Sequence, residues 1–203
     1  MKTIFLLLSG LFLFQINVSS QNVLLDERKK RDYEEIISLY PRFLVSHLPE
    51  SINDKKFANP GLLFPRGRYL NYIHLMISYE DEKIERLKGE FASKAKGIYN
   101  FGDPCLMLPY NYEQFEIIKS DSIRNIPYAN MLPIPNFYSW LYDFPPVFYE
   151  EATIYLLDAE KGRFLPDDCL SKSGVGLPKE WIHGYTKGLV IYKDSVVYWL
   201  EVW

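Results

Sequence analysis

The feature that most limits what this chain can fold into is the alternation of side chains at positions 196–203. One set of alternate residues would share one side of an extended chain, and the other set the opposite side. The two sets are Val196, Tyr198, Leu200 and Val202, against Val197, Trp199, Glu201 and Trp203. A period of two predicts a β-strand. Residues 188–192, joined to it through Lys193-Asp194-Ser195, predict a β-hairpin tied into a sheet.

A second strand is predicted at residues 69–77, where apolar side chains alternate on both faces. Ser78, with Asp81 three residues later, predicts the N-cap of a helix. The core-facing stripe of that helix would be Ile84, Leu87, Phe91, Ala95 and Ile98. A short strand is expected at 105–108. Strand, helix and strand in this order favour a βαβ unit, and a meander crossed by the helix is also allowed.

An earlier amphipathic helix is predicted, with Pro41 ending or kinking it. Its apolar stripe is Tyr33, Ile36, Ile37, Tyr40, Phe43 and Leu44. Residues 152–157 form an apolar segment of the strand-rich C-terminal part, and residues 158–162 resemble a turn. We therefore expect a single α+β domain with a mixed or mostly antiparallel sheet, two amphipathic helices and a C-terminal β-hairpin.

The first twenty residues have the three parts of a secretory signal peptide. Lys2 provides the basic start, residues 4–14 are an uncharged, mainly apolar run, and Ser19-Ser20 provides small residues for cleavage. The run is much shorter than the roughly 20 residues that a spanning helix needs. We expect cleavage after Ser20, a secreted or periplasmic domain of residues 21–203, and no membrane span in it. An uncleaved N-terminal anchor is the alternative.

The charge of the chain argues against nucleic acid as a partner. The formal net charge is −3, whereas a nucleic-acid site needs a clustered basic surface. The one basic run, at 28–31, is bracketed by acidic residues and is typical of a solvated helix face. The three histidines are far apart in sequence, so neither a metal site nor a cofactor is predicted.

The two cysteines, Cys105 and Cys169, predict a disulfide in an oxidising compartment. Two separate buried thiols are the alternative. A nucleophilic pair of Cys105 with His74 or His183 is a third, less favoured, interpretation.

Aromatic residues are concentrated at 137–149, with seven rings in thirteen positions, and recur near His183. Rings beside carboxylates bind sugars, so the predicted binding residues are Tyr138, Trp140, Tyr142, Trp181, His183 and Tyr185. The alternative is a buried aromatic core, which the 16% aromatic content of the whole chain favours.

No catalytic motif is present. We therefore expect an exported, non-catalytic domain that binds protein or glycan. The alternative is a secreted glycan hydrolase that uses paired carboxylates, drawn from Asp143, Glu150, Glu151 or Glu180.

Overall fold

The computed structural model describes residues 27–52, 56–62, 70–107, 131–137, 145–172 and 174–203, with the backbone alone at 56–62. The helices are α1 (27–39), α2 (Arg42–Val45), α3 (Asp81–Lys94) and α4 (Val147–Glu151). The strands are β1 (Lys56–Leu62), β2 (Asn71–Ser78), β3 (Gly97–Asn100), β4 (Leu106–Met107), β5 (Leu132–Pro133), β6 (Thr153–Lys161), β7 (Gly184–Tyr192) and β8 (Ser195–Val202). Short 3-10 turns occupy Asp167–Cys169 and Lys179–Trp181.

Six of the described strands form one sheet in the order β1-β2-β8-β7-β6-β3, and every neighbouring pair in it is antiparallel. Strands β4 and β5 form a separate parallel ribbon. The predicted α+β class, the mostly antiparallel sheet and the C-terminal hairpin are confirmed. The hairpin joins β7 to β8, with Tyr192 opposite Ser195 and Lys193 in the left-handed region at φ 52°.

Both faces of the sheet are covered, as the alternation in β8 requires. Val196, Tyr198, Leu200 and Val202 pack under α1, α2 and α3, on what we call the helix face. Val197, Trp199 and Trp203 pack on the opposite side, which we call the aromatic face. The aromatic face is covered by irregular segments and α4, including the buried rings of Phe137 and Phe148.

The amphipathic helices bury most of the predicted stripes, but Ile37 and Ala95 are only partly buried, and Ala95 is the C-cap of α3. In α1 and α2, Tyr33, Ile36, Tyr40 and Leu44 are buried, whereas Phe43 is 49% exposed. Pro41 separates the two helices, as expected. In α3, Ile84, Leu87 and Phe91 are buried, but Ile98 lies beyond the helix in β3 and is 50% exposed.

The predicted start of α3 is wrong by two residues. Ser78 is the last residue of β2, where it pairs with Ser195. The N-cap is Glu80, whose carbonyl accepts the N–H of Ile84 (3.1 Å). Because sheet pairing already holds the backbone of Ser78, it is not available to cap the helix.

The βαβ interpretation names the wrong second strand, although the strands before and after α3 do run parallel, because four antiparallel pairings separate them. The strand after α3 is β3, not 105–108, and it lies at the opposite edge of the sheet, with β8, β7 and β6 between it and β2. Within the predicted 105–108 strand, only Leu106 and Met107 are extended, in the ribbon with β5. Leu108 lies outside the described residues.

The turn predicted at 158–162 is not a turn, because strand β6 continues through it to Lys161.

No helix in the described part of the chain is both long enough and apolar enough to cross a membrane. The predicted signal peptide lies outside the described residues.

Candidate binding cleft

A cleft of about 710 Å³ opens on the helix face, between α3 and residues 46–51. One wall is a single side of α3 from Lys83 to Lys94. The eleven steps from Lys83 to Lys94, at the helical rise of 1.5 Å, give this wall a length of roughly 16 Å. Strands β6, β7 and β8 contribute the floor, through Asp158, Lys187 and Tyr198. The cleft is therefore an elongated groove over the sheet.

The second wall is fixed to the core by side chains that bond to backbone. His47 Nε2 donates to the carbonyl oxygen of Trp199 (2.8 Å), and the Tyr33 hydroxyl donates to the carbonyl oxygen of Pro49 (2.6 Å). Because a carbonyl only accepts, His47 carries its proton on Nε2. Burial lowers the pKa of His47 to about 4, against the opposing effect of the Trp199 carbonyl, and the nearby Lys187 lowers it further. The imidazole is therefore neutral over the physiological range.

The floor carries a carboxylate and an ammonium that are both held in place. The Asp158 carboxylate accepts from Lys96 and from the Tyr185 hydroxyl. Burial alone would raise the pKa of Asp158, but these two partners outweigh it and hold the pKa below its usual value. Lys187 Nζ donates to the carbonyl oxygen of Phe43 (2.6 Å), and burial lowers its pKa.

Two tyrosine hydroxyls meet where α3 approaches the sheet. The hydroxyls of Tyr79 and Tyr198 lie 3.2 Å apart and share a hydrogen bond. Burial is the main cause that raises the pKa of both groups, so both stay protonated. Tyr79 is only half-buried, so its ring remains partly accessible from the cleft.

The charges that line the cleft balance in number. It has three lysines, Lys83, Lys94 and Lys187, and three carboxylates, Glu50, Glu90 and Asp158. Lys94 pairs with Glu90 (2.6 Å). The side-chain ammonium of Lys83 has no ion-pair or hydrogen-bond partner among the described residues. The cleft therefore offers donors and acceptors side by side, without a net charge of either sign.

Two of the predicted aromatic binding residues, Trp181 and Tyr185, lie on opposite faces of the sheet. Trp181 is buried on the aromatic face, where its carbonyl accepts from Trp203 Nε1 (2.7 Å), whereas Tyr185 is buried on the helix face. His183 is half-buried, and burial lowers its pKa. Tyr138, Trp140 and Tyr142 lie outside the described residues.

The candidate catalytic carboxylates lie away from the cleft. Glu150 and Glu151 are exposed on α4, and Glu180 is exposed in a 3-10 turn. None of these three is among the described residues that line the cleft. Asp143 lies outside the described residues.

The predicted Cys105–Cys169 disulfide is not present in the structure, where both cysteines are free thiols. The reason is their placement. Cys169 packs against the core of the helix face, while Cys105 is exposed and directly precedes β4, whose Leu106 packs on the aromatic face. The pKa of Cys105 is raised by its hydrogen bond with Asp103, which disfavours a thiolate nucleophile there.

Sequence reasoning missed His47, Tyr79, Asp158, Lys187 and Tyr198 as a group. One signal was available: Asp158 and Lys187 are charged residues inside otherwise apolar strands. A charged side chain at such a position needs a partner or a solvent-filled space, and the cleft provides the space.

Among the described residues, no group of three or more His, Cys, Asp or Glu side chains is placed to hold a metal ion.

No protein-family model, no curated protein and no solved structure matches this chain.

Proposed function

We propose that the protein is an exported, non-catalytic binding domain whose ligand occupies the cleft between α3 and residues 46–51. The observation that carries the proposal is the cleft itself. Its volume of about 710 Å³ is within the usual range for ligand sites, roughly 300–1,000 Å³. Its second wall is tied to the sheet by His47 and to α1 by Tyr33, so no large rearrangement is needed before a ligand enters.

The electrostatics of the floor argue against Asp158 as the acid of a glycan hydrolase. That acid must stay protonated, which requires a raised pKa. The pKa of Asp158 moves in the opposite direction, and its oxygens already have partners in Lys96 and Tyr185. The alternative of a secreted hydrolase therefore needs an acid other than Asp158.

The proposal is tested by filling the cleft with a bulky side chain. Ser46 lines the cleft and Ser38 lies on α1 outside it. Both serines are exposed, and each donates its hydroxyl to the carbonyl three residues earlier, in Phe43 and Glu35 respectively. Ser46→Trp and Ser38→Trp are thus a matched pair. Arrays of defined oligosaccharides and defined peptides would be probed with the labelled mature domain and with both variants.

We expect array signals that wild type and Ser38→Trp share and that Ser46→Trp loses, with unchanged circular dichroism in all three. Signals that survive in Ser46→Trp would place binding elsewhere and remove the proposal. Hydrolysis of an arrayed glycan, abolished by one carboxylate substitution in a folded protein, would show that the domain is an enzyme.

A further inference from the structure

We infer that the ligand of the cleft is an uncharged, hydroxyl-rich oligosaccharide. This inference rests on the binding function proposed above and specifies the chemical class of the ligand. It depends on three properties of the lining: charges of both signs, an α3 wall whose apolar side chains are already buried in the core, and hydroxyl groups beside a partly exposed ring.

The charge balance disfavours a strongly charged ligand. Acidic or basic polymers are usually held by a field of one sign. Here Glu90 neutralises Lys94, and Lys96 neutralises Asp158 from beside the cleft. The charged groups that remain in the lining, Lys83, Lys187 and Glu50, carry both signs, so a ligand with charge of one sign would meet repulsion as well as attraction along the groove.

The apolar surface disfavours a peptide. Peptide grooves rely on pockets that bury apolar anchor side chains of the partner. The apolar residues that α3 contributes to the wall, Leu87 and Phe91, are each only 5% exposed. They are already used by the core of the helix face, so the α3 wall offers little apolar surface for an anchor.

The polar groups suit sugar hydroxyls, each of which is both a donor and an acceptor. Lys83 supplies unused donors, Glu50 supplies an acceptor, and the Tyr79 hydroxyl lies beside the Tyr198 hydroxyl. The half-buried ring of Tyr79 gives a flat surface on which the apolar face of a sugar can pack. A wall of roughly 16 Å accommodates a short chain of rings rather than one.

The experiment is calorimetric titration of the mature domain with defined probes. The neutral probes are maltotriose, cellotriose and chitotriose, the charged probe is trigalacturonate, and the peptide probes are those found positive on the array. The variants are Lys83→Ala and Tyr79→Phe. The control is Lys88→Ala, which changes a lysine of the same helix that does not line the cleft.

We expect at least one neutral trisaccharide to bind, with a dissociation constant that barely changes between low and high salt. Lys83→Ala and Tyr79→Phe should each weaken binding roughly five- to tenfold, the loss expected for one hydrogen bond, and Lys88→Ala should leave it unchanged. Thermal unfolding of each variant separates a loss of fold from a loss of contact.

The inference is overturned if trigalacturonate binds more tightly than every neutral probe, or if no trisaccharide binds. If a peptide binds instead and Ser46→Trp abolishes it, the ligand class is wrong but the proposed binding function stands. If no carbohydrate or peptide probe depends on the cleft, both proposals are wrong.

Discussion

His47 should make the stability of the protein fall as the pH is lowered through the weakly acidic range. In the folded state burial lowers the pKa of His47 from 6.5 to about 4. The unfolded chain therefore binds a proton on this residue at a higher pH than the folded chain does. Above pH 6.5 both states are neutral and nothing changes. Between pH 6.5 and 4 protonation favours the unfolded chain, so stability is lost, and below pH 4 the loss is complete.

The magnitude follows from the size of the shift. A difference of one pKa unit corresponds to about 1.4 kcal/mol, so the drop from 6.5 to about 4 gives a total loss of roughly 3 kcal/mol. Most of it, about 2.5 kcal/mol, should be lost between pH 7 and pH 4.5. This is a large part of the 5–15 kcal/mol typical of a folded domain.

The test compares wild type with His47→Gln by urea unfolding at pH 7 and pH 4.5. Glutamine keeps an N–H donor for the Trp199 carbonyl but does not titrate. Carboxylate titrations affect both proteins alike and cancel in the difference. The free energy of unfolding of wild type should fall by about 2.5 kcal/mol more than that of the variant. If the two proteins lose stability in parallel, within about 0.5 kcal/mol, the burial assigned to His47 is wrong.

Three further predictions concern the core, the cysteines and the leader. Phe148→Ala should lower the free energy of unfolding by about 3–5 kcal/mol because it empties a buried ring position. Phe43→Ala changes a half-exposed ring and should lower it by about 1 kcal/mol or less. Equal losses in urea unfolding would contradict the placement of the two rings. Titration of Cys105 and Cys169 with a thiol reagent, under denaturing and non-reducing conditions, should count two free thiols, and a count of zero would restore the disulfide. The intact mass of protein recovered from the culture medium or periplasm should lack residues 1–20; a product that keeps them would refute cleavage after Ser20.

The sequence predicted the elements better than it predicted their arrangement. Local alternation predicts which residues of β8 share a face, and it does the same for Ile73, Leu75 and Ile77 of β2. The prediction holds because a strand in a covered sheet must bury both sets of side chains. The order of the strands depends on contacts between distant residues. The pairing of Ile77 with Val196 is one of these, and no local pattern encodes it.

The position of the site was outside the reach of pattern reasoning for a related reason. His47, Tyr79 and Lys187 come from three separate parts of the chain and meet only in the fold. The predicted aromatic site was based on the concentration of rings at 137–149, whose described members lie on the aromatic face, opposite the cleft. Of the described members of that run, Phe137 and Phe148 are buried there, with Phe148 and Tyr192 centroids 5.3 Å apart, and Tyr149 is partly buried against the same cluster. This placement fits the alternative of an aromatic core, which the aromatic content of the whole chain had favoured.

The central position of β7 and β8 has a consequence for the order of events during synthesis. These two strands join β2 on one side to β6 on the other, yet they are the last described strands to leave the ribosome. Until they emerge, the earlier strands have no partners that link the two halves of the sheet, and long-range pairing of this kind is slow. A nascent chain of this topology can therefore complete its six-stranded sheet only after residues 184–202 have emerged.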